Sequence, residues 1–330
     1  DLPRLLDASG AAYAVLGADR AARTGEPSAS PTVVGTFLAR RTTGVGIVVA
    51  ASPQRDHPYN AARRVASLDH VSGGRAGLLA LRRDRALELG IGGRSTWAPG
   101  ELTAAHLADA LTATRKLWRT WPLESLDSDP EVALAARLPF ADHTGVFATK
   151  GPLNVPTTPQ GEPVVFWPAS PAGPLSQDEV ELAAVSADVI IVDDDVLARE
   201  SALLAGAVQA GAAAGRPVRV HVRVRLAASA GPVSAERPDA SVTETVLSLG
   251  DARPYVSGIV FRVPAADLPR LAGDVLPRLA GSGAVRLRPG TPETPSHPVT
   301  LRDLLAIPRR AEPDLSANPA AFPVASKEPA

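Results

Sequence analysis

The chain has 330 residues, 45% of them hydrophobic and 21% charged, and a formal net charge of −1. That is a globular profile with room for a large core, and it lacks the basic footprint of a nucleic-acid binder. No apolar run reaches the roughly 18 residues of a membrane span, and the lack of cysteine removes disulfides, thiolate nucleophiles and cysteine-ligated metals.

There is no methionine, even at position 1, so further N-terminal sequence is expected. No signal or transit pattern is visible, and together with the missing cysteines this makes the cytoplasm the expected location.

Strand-like and helix-like runs alternate along the chain. Residues 12–19 (AYAVLGAD) are a short apolar run with a polar end, and a helix follows from Ser30 or Pro31. Residues 43–52 (TGVGIVVAAS) are a near-continuous β-branched run. Residues 58–72 then place Ala62, Val65 and Ala66 at helical spacing. GRAGLLAL (74–81) is the next strand, and a long helix ends before Pro122. The segment 122–165 is rich in Pro, Thr and Gly and reads as an excursion of extended pieces and turns.

Strand character returns at 164–170. A capping box, Ser176 with Glu179 three residues on, opens the next helix. VIIVD (189–193), a helix to Gly215, the strand PVRVHVRVRLA (217–227), a short helix at 241–250, the strand VSGIVFRVP (256–264) and a helix over 266–281 complete the pattern. Repeated alternation predicts a parallel sheet. Seven units are visible, one short of a closed eight-stranded α/β barrel, and a lost N-terminal strand would supply the eighth. The expected organisation is one TIM-type barrel over 1–307 with the excursion after its fourth unit, then a Pro/Ala-rich tail over 308–330 that wraps the surface or is disordered.

HPYNAARRVASLDHVSGGRAG (57–77) resembles the bacterial luciferase-like monooxygenase superfamily, in the branch of nitrilotriacetate and dibenzothiophene-sulfone monooxygenases. The matching residues are Pro58, Tyr59, Ala62, Arg63, Ser67 to His70, Ser72, Gly74 and Arg75. LWRTW (117–121), KGPLNVPTTPQGEPVV (150–165, with Thr157 in place of an arginine) and a C-terminal helix followed by VTLRDLL (299–305) match in order. The resemblance implies an eight-stranded barrel, reduced FMN delivered by a separate reductase, O2, a small organic substrate, and a homodimer or higher homo-oligomer.

Barrel enzymes work at the C-terminal ends of their strands, and the opposite face serves stability. Ser72 to Arg75 precede a strand, so they are expected on the stability face. At the other end of that strand the family places an asparagine and a Thr-Ser pair against flavin. This chain has Leu79, Arg82 and Arg83 there, and it lacks the family's downstream His-x-x-x-Arg-Tyr.

Other candidates at the mouth are Asp19, Ser52, His57, Tyr59, and the turn 169–173, where Ser170 and Gly173 match positions near the flavin phosphate and backbone N–H groups suit an anion. The same residue types also suit caps and plain loops. Asp193 to Asp195 end a strand and read first as a helix-capping turn rather than a metal site, since no paired histidines support a metal.

In VRVHVRVR (218–225) the valines suit the helix-facing side, which sends Arg219, His221, Arg223 and Arg225 inward. Such a lining suits an anionic ligand or pairing with carboxylates such as Asp193. An exposed strand at a distorted barrel edge gives the same pattern. His57, His221 and Arg223 are the candidate substrate contacts.

Three functions follow: an FMN-dependent monooxygenase with a divergent, weakly binding pocket; a non-catalytic barrel, as pseudoenzyme or partner subunit, with no cofactor; and an oxidoreductase using the deazaflavin F420.

Overall fold

The computed structural model describes residues 1–17, 29–84, 102–129, 131, 137–169, 175–226, 246, 255–288 and 299–321. Seven parallel strands form one sheet in chain order: β1 (Tyr13–Leu16), β2 (Gly46–Ala51), β3 (Ala76–Ala80), β4 (Val164–Pro168), β5 (Val189–Asp193), β6 (Arg219–Arg225) and β7 (Val256–Arg262). Parallel neighbours need crossovers, and helices supply them: α1 (Leu2–Ala8) lies before β1, α2 (Pro31–Ala39) before β2, α3 (Pro58–Ser72) before β3 and α4 (Ala104–Leu117) between β3 and β4. α5 (Gln177–Ser186) precedes β5, and α6 (Asp194–Arg199) with α7 (Ser201–Ala213) precedes β6. The short helix expected at 241–250 lies, apart from Val246, outside the described residues. The expected eighth strand is not among the described residues, where β1 and β7 are the edges of the sheet. No helix among the described residues is long and apolar enough to cross a membrane.

Side-chain parity divides the core. Ile47, Val49, Leu78, Ala80, Val165, Trp167, Ile190, Val192, Val220, Val222 and Val224 pack with residues of the helices. Val48, Ala50, Leu79, Val164, Phe166, Val189 and Ile191 point the other way, into the lumen. The alternation read at 218–225 is therefore a barrel strand, with the valines on the helix side. The sheet curls enough for strands far apart in its order to meet. Tyr13 on β1 and His221 on β6 share a 2.7 Å hydrogen bond across the lumen, beside the Phe166 ring.

The N-terminal ends of the strands carry the stabilising clusters. Gly73 and Gly74 take φ of +67° and +89°, which lets the chain turn from α3 straight into β3. Arg75 then donates to the carbonyls of Ala39, Thr42, Val45 and Ser72 and to the Thr42 hydroxyl. From the other side the Asp7 carboxylate accepts the N–H groups of Thr43, Gly44 and Val45. The loop between α2 and β2 thus has its carbonyls and its amides paired by two side chains.

The last described segments close this face. Leu301 lies against Gly46 and Gly77, where a Cβ would come within 2.6 and 3.1 Å of its methyl groups. Behind it Asp188 and Glu162 sit among arginines. Asp188 accepts from Arg115, Arg302 and Arg310, and Glu162 accepts from Arg115 and Arg119. The described tail wraps the molecule: Pro139 bridges Ala320, and Asn318 donates to Phe140. The described part of the excursion includes isolated bridges, such as His143 with Thr149, and a 3₁₀ turn at Leu123–Leu126.

Candidate active site

The C-terminal ends of the strands form the mouth expected to carry chemistry in this architecture. Asp19, Ser170 and Gly173 lie outside the described residues. Ser52 follows β2 and is 2% exposed. Its hydroxyl donates to the Arg82 carbonyl and accepts from Gln54 N–H, so it ties the ends of β2 and β3 together. His57 is the N-cap of α3, its Nδ1 accepting from Tyr59 N–H, and its ring stands edge-on to Phe147 of the excursion. Burial lowers its pKa, against a hydrogen bond with the Ala148 backbone. The Tyr59 hydroxyl donates to the Pro152 carbonyl. His57 and Tyr59 therefore fasten the mouth and the excursion to each other.

On β3 the lumen residues are Gly77 and Leu79, and Leu81 just after the strand continues them. Parity then takes Arg82 to the helix layer, where its guanidinium stands 3.5 Å from Glu179 of α5. Arg83 is exposed. Leu79 is 3% exposed and packs with Ala50 and Phe166 in the lumen cluster. The charged end of this buried strand has a local explanation: Arg82 pairs outward with α5, and Asp84 pairs with Arg55.

Across the mouth Asp193 does not cap α6 with its side chain. It receives Arg223 in a two-point contact of 2.5 and 2.8 Å. Asp195 pairs with Arg199. No group of three metal-binding side chains occurs among the described residues.

His221 lies deeper and is 3% exposed. Gly258 opposite has no Cβ to collide with its ring, and one would lie 2.7 Å away. Burial first, and Arg219 second, push the His221 pKa down to about 4, while burial pushes the Tyr13 phenol up. The pair is therefore neutral at pH 7. Sequence reading missed the Tyr13 partner, because nothing along the chain signals a contact from β1 to β6.

A pH effect follows. His221 unfolded takes its proton near 6.5 and folded near 4, so its contribution to stability is full above 6.5 and falls as pH drops towards 4, by about 3 kcal/mol. Asp69 works oppositely. Burial pushes it up to about 6, against hydrogen bonds from Ala76 N–H and others, so folding gains about 3 kcal/mol as pH falls from 6 to its unfolded 3.8. In Asp69→Asn that gain disappears. Urea melts at pH 7 and pH 4 should show the variant losing about 3 kcal/mol more than the wild type over this range. An equal loss in both proteins would contradict the assignment.

A cavity of about 70 Å³ beside the mouth is lined by Ser30, Thr32, Val49, Arg55, Asp56 and Arg64. It lies between α2, α3 and the outer side of β2, and it holds about two waters, not a ring system. Inside the sheet, Ala50, Leu79, Leu81, Ile191 and Val260 belong to an apolar lumen cluster. The apolar character of these residues suits a flavin's aromatic ring.

Comparison with known proteins agrees with this architecture. The family model described as luciferase-like monooxygenase matches residues 1–274. Component A of nitrilotriacetate monooxygenase from Aminobacter aminovorans is 32% identical over 165 residues, 49% of this chain and 35% of that protein. One polypeptide of pristinamycin IIA synthase from Streptomyces pristinaespiralis is 34% identical over 185 residues, 55% of this chain and 57% of that protein. The chain thus spans from about a third to just over half of the curated relatives it matches. The solved structure of EDTA monooxygenase from Chelativorans sp. BNC1 superposes with a TM-score of 0.65 at 20% identity, covering 92% of this chain and 89% of that one, which is a likeness of fold. With the family model covering most of its length and a curled sheet of seven parallel strands beneath it, this chain belongs to the luciferase-like monooxygenase family.

Proposed function

We propose that this protein is the oxygenase of a two-component system that takes reduced FMN from a separate reductase and oxygenates a small organic substrate with O2. The observation that carries this reading is the apolar cluster of the lumen, lying within a fold of this family. Reduced FMN supplies the electrons that activate O2. The chain's own residues supply the floor for the ring, and the turn 169–173 is the proposed phosphate holder. His57, His221 and Arg223 are the proposed substrate contacts. A cytoplasmic homo-oligomer is the proposed working form.

FMN is proposed to bind weakly. Leu79 offers no amide to the ring, the Ser52 hydroxyl already has two partners, and Arg82 is turned to α5. Each polar contact not made weakens binding by roughly 1–3 kcal/mol, so two together cost from about tens-fold to about ten-thousand-fold in affinity. Those same three observations favour the second reading, a non-catalytic barrel.

Anaerobic titration with photoreduced FMN separates the two. Saturation in the micromolar to sub-millimolar range, with much weaker binding of oxidised FMN, is the expected result. No saturation at millimolar reduced FMN would remove the oxygenase reading and leave the non-catalytic one. Tight retention of oxidised FMN through purification would refute the proposed weak pocket.

A further inference from the structure

The bond between Tyr13 and His221 differs in kind from those of the other two tyrosines. The Tyr59 hydroxyl meets the Pro152 carbonyl, and the Tyr255 hydroxyl meets the Ser201 hydroxyl. The Tyr13 phenol meets a base, Nδ1 of the His221 ring, at 2.7 Å.

The direction of that bond follows by elimination. Burial pushes the Tyr13 pKa up, so the phenol is neutral and has one hydrogen to place. Among the described residues His221 Nδ1 is its hydrogen-bond partner. A hydrogen on Nδ1 would leave the buried phenol hydrogen without an acceptor, which costs free energy. Tyr13 therefore donates, and the neutral His221 carries its hydrogen on Nε2. The pair is also enclosed. His221 is 3% exposed, and the Tyr13 ring lies 5.0 Å from the Phe166 ring and 5.8 Å from the His221 ring. Tyr13 packs against the apolar lumen cluster, where the cofactor ring is proposed to lie.

A phenol is hard to oxidise alone, because the radical cation left behind is a strong acid with nowhere to send its proton. A bonded imidazole accepts that proton as the electron leaves, whereas a carbonyl or an alcohol is too weak a base. The chain has neither cysteine nor methionine, so sulfur is not available to absorb oxidising equivalents.

We infer that Tyr13 and His221 form a redox-active pair that drains one-electron oxidants arising in the lumen. The oxidant, an oxygen-centred radical or a photoexcited flavin, gains one electron from Tyr13. The phenol O–H bond breaks, an N–H bond forms at His221 Nδ1, and a neutral tyrosyl radical is left beside an imidazolium. One electron from a reductant such as reduced FMN restores the phenol, with the same proton returning. Burial and the nearby Arg219 disfavour the imidazolium, so the radical is a relay state and not a resting one. The draining role rests on the oxygenase reading, and the redox step does not.

The test is flash oxidation of the whole chain by ruthenium(III) tris-bipyridine, made in light from the ruthenium(II) complex and a cobalt(III) acceptor, with the radical trapped by freezing and read by electron paramagnetic resonance. No flavin is needed. A neutral tyrosyl signal is expected. It should be lost in Tyr13→Phe, kept in the double variant Tyr59→Phe/Tyr255→Phe, and largely lost in His221→Gln, whose amide accepts a hydrogen bond but takes no proton. Heavy water should slow its formation, and added phosphate base should not speed it, because the proton stays within the pair.

A signal surviving in Tyr13→Phe, a signal lost in the double variant, or an equal yield in His221→Gln would overturn the pair. The double variant leaves the lumen bond untouched, so the outcome does not hang on how well Tyr13→Phe folds. Under reduced FMN and O2, Tyr13→Phe should gather more oxidised tryptophan than the wild type, read by peptide mass spectrometry, and equal damage would overturn the draining role. A Tyr13 radical in a protein that fails to bind reduced FMN would sustain the pair while the oxygenase reading falls.

Discussion

Asp188→Asn is expected to destabilise the protein by about 3–5 kcal/mol, the cost typical of removing one partner from a buried ion pair. Asp188 is 1% exposed and stands immediately before β5. One oxygen accepts from Arg115, Arg302 and the Val165 amide at 3.1, 3.3 and 2.8 Å, and the other accepts from Arg310 at 2.9 Å. Burial alone would raise its pKa, and Arg115, Arg302 and Arg310 more than reverse this, holding the carboxyl well below the usual range. An amide keeps the shape and removes the charge, leaving the three cations with Glu162 as their remaining buried counter-ion. The midpoint of thermal unfolding should drop by on the order of 10 °C. An unchanged midpoint would mean that the arginines turn to water without penalty. The sign with pH is also fixed: the Asp188 contribution is full above its unfolded pKa of 3.8 and is lost as pH falls below it.

Arg75→Ala should cost a comparable amount, about 3–5 kcal/mol, and leave ligand affinity untouched. Arg75 is 6% exposed, and its truncation strands four backbone carbonyls, two of which belong to the end of α2 and the residues just after it. Buried carbonyls without partners are what makes the loss large. Water entering the vacated space recovers part of it. Arg75→Lys should fall between, because an ammonium reaches one or two of those acceptors and lacks the planar fork. Denaturant melts and reduced-FMN titration on the same preparations check both halves. A variant with an unchanged melt and weakened ligand binding would contradict the placement of this residue on the stabilising face.

Much of the fold was legible in the sequence, and for a physical reason. Strands buried on both faces read as continuous apolar runs, as in GIVVAA and VIIV, and a strand with charged lumen positions reads as alternation, as in RVHVRVR. The glycine turn before β3 and the N-cap Ser176 are local signals, and they fell where local signals predict. The site was harder. Counting residues to the end of β3 puts Arg82 at the mouth, but parity from Leu79 through Leu81 puts its side chain on the helix side, where Glu179 waits. That parity was present in the sequence and was the usable clue. The inward set of β6, from Arg219 to Arg225, was read directly from its alternation with valine. The cluster around Asp188 was not legible at all, since its members come from positions 115, 119, 162, 188, 302 and 310 and only folding brings them together.

That last arrangement has a consequence for how the molecule is made. Ribosomes release the chain from its N-terminus onwards, at about 5–20 residues per second. Asp188 emerges with Arg115 already available, but Arg302 and Arg310 follow more than a hundred residues later. Leu301, which seats against Gly46 and Gly77, arrives equally late. Until then the nascent barrel holds a carboxylate short of counter-ions and an apolar floor without its plug. Contacts of such long sequence separation slow folding and prolong the life of sticky intermediates. A nascent chain stalled before Leu301 should therefore lean on chaperones far more than the released chain of 330 residues.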